Sequence, residues 1–170
     1  MTGQRVHEMG TIERTSEGVT VRFERHYDAP PSDVWTALTD PAQLAHWLAD
    51  ATVDLRVGGA IAVRFGDGTM NGIITRLDPP SVIGYTWHEA QANESHVLWE
   101  LSGSDAGTTL RLTHTRLAAD SGSGFAAGWH HHIDRLGGVV EGRPTDWSWP
   151  RFEELKARYE GSSGPAESGA

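Results

Sequence analysis

Apolar and polar positions begin to alternate at residue 11. Val19, Val21, Phe23 and Tyr27 share one parity, while Thr20, Arg22, Glu24 and His26 share the other. That predicts one half-buried strand, stopped by Ala29-Pro30-Pro31. Ser32 and Asp33 suit a helix start, and Val34, Trp35 and Leu38 supply its apolar stripe. Asp40-Pro41 breaks this helix and opens a second short one carrying Leu44, Trp47 and Leu48. Strands are predicted at 52–57, 60–66, 69–77, 81–89, 95–102 and 108–116, with turn residues between them. Asp67-Gly68 is the clearest hairpin signal.

The period then changes. Phe125, Trp129, Ile133, Leu136 and Val140 recur every three or four residues, one face of a helix of about 17 residues. Gly142 and Pro144 end it. A last helix over about 150–160 carries Trp149, Phe152, Leu155 and Tyr159 on one side, with Ser148 as its cap. Links between strands are too short for crossovers, so about seven strands form an antiparallel sheet. Two short helices after the first strand and a long C-terminal helix complete an α+β fold. Residues 11–160 are expected to form a single domain, with loose ends at 1–10 and 161–170.

Composition narrows the functions open to this fold. Apolar residues are 38% and charged residues 22% of the 170, an ordinary globular balance. No apolar run is long enough for a membrane span, and residues 1–14 lack the apolar stretch of a signal peptide. A cytoplasmic location is expected. The absence of cysteine excludes disulfides and thiolate chemistry. A net charge of −9, with arginines scattered singly, disfavours nucleic acid and anionic membrane surfaces.

Several motifs agree in order with one known family. The segment 28–48 (DAPPSDVWTALTDPAQLAHWL) resembles the START-related, birch-pollen-allergen-like (SRPBCC) superfamily. Within it, 54–65 (DLRVGGAIAVRF), 77–87 (LDPPSVIGYTW), 107–117 (GTTLRLTHTRL) and 126–136 (AAGWHHHIDRL) are similar to the activator of heat-shock protein 90 ATPase family. The resemblance implies a helix-grip fold, a curved antiparallel sheet around the long helix. It also implies an apolar cavity between the two, and more weakly a co-chaperone role.

His130-His131-His132 is the most conspicuous cluster, but successive helical residues point about 100° apart and cannot share one ion. No metal or other cofactor is expected. His131 is predicted on the solvated back of the helix, and His132 at the border of its apolar face. His114 shares parity with Leu110 and Leu112 and should project into the concavity, either as a satisfied core residue or as a proton-transfer group. His88 and His96 belong to the solvent face. No G-x-S-x-G elbow, phosphate loop or dinucleotide fingerprint is present. Gly137 and Gly138 interrupt the long helix and predict a bend that opens a path inward.

These readings converge on a small apolar or aromatic ligand held by Phe65, Tyr85, Trp87, Trp99, Leu112, His114, Trp129 and Ile133. A co-chaperone-like module with a chaperone partner is the alternative. An enzyme on a hydrophobic substrate, using His114 as acid or base, is the third.

Overall fold

The apolar parity of each strand lies on one face of a single sheet that curves around a helix. The computed structural model of the chain describes residues 9–66, 68–89, 94–104, 106–143 and 146–168. Its strands are β1 (Thr11–Thr15), β2 (Gly18–Tyr27), β3 (Asp50–Val53), β4 (Ala60–Phe65), β5 (Gly68–Asp78), β6 (Val82–Glu89), β7 (Ser95–Ser104) and β8 (Gly107–Leu117). All neighbours are antiparallel, in the order β1-β2-β8-β7-β6-β5-β4-β3. Helices α1 (Pro31–Thr39) and α2 (Pro41–Trp47) connect β2 to the opposite edge, and α3 (Gly122–Val140) and α4 (Trp149–Ser168) follow β8.

Register explains the core. Ile83, Trp99, Leu112 and Phe23 stand opposite one another across β6, β7, β8 and β2. Tyr85, Val97, His114 and Val21 form the next row, and all eight are buried. Ile133 and Leu136 of α3 are buried with them. Asp40 caps α2 by accepting from the Ala42 N–H at 3.0 Å, and Ser148 caps α4 through the Arg151 N–H at 3.2 Å.

The structure corrects three expectations. There are eight strands rather than seven, because the single strand read over 11–27 is a hairpin. Its turn is held by the Thr15 hydroxyl, which accepts from the Glu17 N–H and donates to the Gly18 carbonyl. Gly18 is required there: its φ is +130° and an added Cβ would sit 2.3 Å from the Leu117 carbonyl oxygen. The strand expected at 52–57 stops at Val53, since 54–59 closes a turn in which the Asp54 N–H donates to the Ala60 carbonyl. The last helix runs past Glu160 to Ser168. Met1–Glu8, Asp67, Ala90–Asn93, Asp105, Pro144, Thr145, Gly169 and Ala170 lie outside the described residues, and Phe65 of β4 pairs with Gly68 of β5. No helix among the described residues is long and apolar enough to cross a membrane.

The proposed bend of α3 gains no support at Gly137. An added Cβ there would lie 2.9 Å from Cε1 of Tyr27, whose hydroxyl donates to the Ile133 carbonyl at 2.8 Å. Close packing against β2 therefore accounts for this glycine.

Candidate functional site

Five of the eight residues singled out in the sequence lie in the closed interior. Tyr85, Trp99, Leu112, His114 and Ile133 are all buried, and their polar atoms are used internally. The Trp99 indole N–H donates to the Tyr85 hydroxyl at 2.9 Å, and burial pushes that hydroxyl up to about 12. Trp99 also packs edge-on against Trp47 and Trp129, with centroids 5.9 and 5.3 Å away.

His114 carries the main polar chain of this interior. The Trp129 indole, which can only donate, bonds to His114 Nδ1 at 2.9 Å. The imidazole proton therefore sits on Nε2 and is donated to Ser95 Oγ at 2.7 Å. Ser95 in turn donates to the Trp87 carbonyl at 3.2 Å. Burial lowers the imidazole to about 3, with nearby His96 adding to the shift. Both ring nitrogens of a neutral, buried histidine are engaged, which leaves neither for a substrate.

Phe65, Trp87 and Trp129 come together instead at an open groove of about 480 Å³. It lies between the N-terminal half of α3, α4 and the ends of β4 and β6. Gly124 and Gly128 form part of its α3 wall. Four residues apart, they share one helix face, and an added Cβ meets nothing at Gly124 and only Phe152 Cε1, at 3.9 Å, at Gly128. Missing side chains thus leave the space that the aromatic rings surround. Trp87 lies 5.2 Å from Trp129 and 5.9 Å from Phe65. Trp147, Trp149 and Phe152 form a second ring cluster, with centroids 5.3–5.8 Å apart. Trp149 is 65% exposed.

The histidine triplet underlies this second cluster. Trp147 stacks on His131 and His132 at 4.4 and 4.6 Å. His131 is buried rather than solvated as expected, because Trp147 and Ser148 cover it and the Ser148 N–H donates to its Nε2 at 2.9 Å. His132 Nδ1 donates to the Trp47 carbonyl at 3.0 Å, a group that Arg135 also caps. His130 turns the other way, its Nδ1 bonded to the Tyr159 hydroxyl at 2.8 Å. The three rings thus hydrogen-bond to three different partners, and no group of three or more His, Asp or Glu among the described residues is placed to hold a metal. The Trp147 indole N–H is buried without a hydrogen-bond partner, an unrepaid desolvation of about 1–3 kcal/mol.

A larger cleft, about 860 Å³, opens beside β2 and the C-terminal half of α3. Its charged side chains are engaged: Arg25 with Asp134 at 2.5 Å, Arg143 with Glu141, Glu24 with Arg111 at 3.0 Å and Arg151 with Glu154, while Glu141 also accepts from the Asp28 N–H at 2.9 Å. That pairing describes an ionic seam rather than a receptor.

Residue reasoning missed Gly124, Gly128, Trp147 and Phe152 as groove-formers. The glycine spacing of four was a usable signal. The position of Trp147 was not, since it depends on how the connection into α4 returns across α3.

The family described as "Activator of Hsp90 ATPase homolog 1-like protein" matches residues 28–141. The crystal structure of CalU16 from Micromonospora echinospora is similar, with 27% identity, a TM-score of 0.74, and coverage of 89% of this chain and 94% of that one. DynU16, described as a putative protein in the dynemicin biosynthetic locus, shares 26% identity at a TM-score of 0.67, covering 75% of this chain and 49% of that one. The solution structure of an Aha1 dimer from Colwellia psychrerythraea shares the fold, with 22% identity, a TM-score of 0.63, and coverage of 72% and 96%. No curated protein matches the chain.

Proposed function

The chain belongs to the activator of Hsp90 ATPase homolog 1-like family, and on that premise we propose that it binds a flat apolar or aromatic small molecule in the groove between α3 and α4. The observation that carries this reading is the groove itself: about 480 Å³ of open space walled by tryptophan and phenylalanine rings and two side-chain-free helix positions. Pockets for small organic ligands have this size and lining. Kinship with DynU16, placed in a biosynthetic locus, supports a small organic ligand. In this reading Phe65, Trp87 and Trp129 line the groove, while Tyr85, Trp99, Leu112, His114 and Ile133 are buried in the core.

The test uses a neutral fluorescent apolar dye and the tryptophan emission of the protein. Saturable dye binding with quenching of the groove indoles is expected. Gly128→Leu places a side chain in the groove at a position that favours helix, so it should abolish binding without loss of stability. Dye binding unchanged in that variant places the site elsewhere.

A protein-docking role in the manner of a co-chaperone is favoured by a different observation. Leu55, Val57 and Ile73 are 44%, 60% and 47% exposed, on the 54–59 turn and the strand to which it hydrogen-bonds. Stimulation of a heat-shock protein 90 ATPase that survives Gly128→Leu but not Val57→Asp would assign that role to this surface.

A further inference from the structure

The rim of the groove is unequal in charge. Glu89, Asp120 and Glu160 stand around it, against the single ammonium of Lys156. The N-terminus of α3 adds a half-charge of positive sign, too little to offset three carboxylates. The chain as a whole carries −9, so the field around the groove also disfavours anions.

The walls point the same way. Indole and phenyl faces are electron-rich and attract cations, tryptophan most strongly. Four of the seven tryptophans, Trp87, Trp129, Trp147 and Trp149, line this one space. The polar groups it offers are mainly acceptors. His132 uses Nδ1 to donate to Trp47, so its Nε2 carries a lone pair, and burial holds the ring neutral with its titration lowered to about 4. The Trp147 N–H is a donor, but it is buried within the wall.

We propose that the groove selects a protonated aromatic amine, whose ring lies among the indoles and whose ammonium meets the carboxylate rim. The proposal rests on the ligand-binding reading above and adds the charge class of the ligand. Glu89 serves twice, since its carboxylate also accepts from the Trp87 indole N–H at 2.8 Å and fixes that ring.

Three probes of one ring and different charge decide the matter: 1-naphthylmethylamine, 1-naphthalenemethanol and 1-naphthoate at neutral pH. The amine should bind about tenfold tighter than the alcohol, the combined scale of exposed cation–π and ion-pair contacts, and the carboxylate weakest. Added salt should narrow the gap. Asp120→Asn with Glu160→Gln should weaken the amine severalfold and leave the alcohol unchanged, while Lys156→Gln should tighten the amine. Alcohol binding that is lost in Gly128→Leu, with amine and carboxylate equal to it or reversed, overturns the charge preference while the groove stands. No binding by any of the three overturns both.

Discussion

The Trp129 indole can only donate, and that restriction orients everything around His114. It fixes the imidazole tautomer, which fixes the direction of the bonds to Ser95 and then to Trp87. His114→Phe keeps an aromatic ring but strands the Trp129 N–H in the interior and removes the donor to Ser95, whose hydroxyl keeps its bond to the Trp87 carbonyl. A loss of about 2–4 kcal/mol is expected from denaturant unfolding. Ser95→Ala strands only the imidazole N–H and should cost about 1–3 kcal/mol. A histidine kept for a ligand would instead be replaceable at little cost or with a gain. Strand parity placed His114 in the concavity but could not choose between core and site. Its partners come from a neighbouring strand and from α3, contacts that no local pattern encodes.

At the scale of elements, periodicity located the sheet and α3, because a half-buried strand and an amphipathic helix each leave a repeating mark. The errors fell where side chains and turns override that mark. Thr15 and Gly18 fold an apparently continuous strand into a hairpin, and the 54–59 turn cuts another short. Glycines in α3 show how one residue type serves opposite ends. Gly124→Ala meets no atom within 4 Å and should stabilise by about 0.5–1 kcal/mol through helix propensity. Gly137→Ala drives a methyl into Tyr27, whose ring is pinned by its bond to Ile133. It should lower the melting temperature despite the same propensity gain. A stabilised Gly137→Ala would return the helix-bending reading to that position.

Over the whole molecule, acid stability depends on histidines that the fold holds neutral. Burial lowers His114 to about 3 and His130 and His132 to about 4, against about 6.5 in an unfolded chain. At His130 the nearby Arg25 adds to burial, and Asp134 only partly offsets them. His131 and His96 move in the same direction. Between the two sets of values the unfolded chain binds more protons than the folded one, so stability rises with pH. The contribution is fully present above about pH 6.5 and is lost as pH falls through the folded values. Each strongly shifted histidine gives a slope of up to about 1.4 kcal/mol per pH unit within that window. Urea unfolding at pH 7.5, 6.5, 5.5 and 4.5 should therefore show little change over the first step and a steepening fall over the next two. His132→Gln removes one titrating group and should lessen the slope while leaving the other two histidines in place. Stability unchanged from pH 6.5 to 4.5 would mean that these imidazoles are not held neutral by the fold.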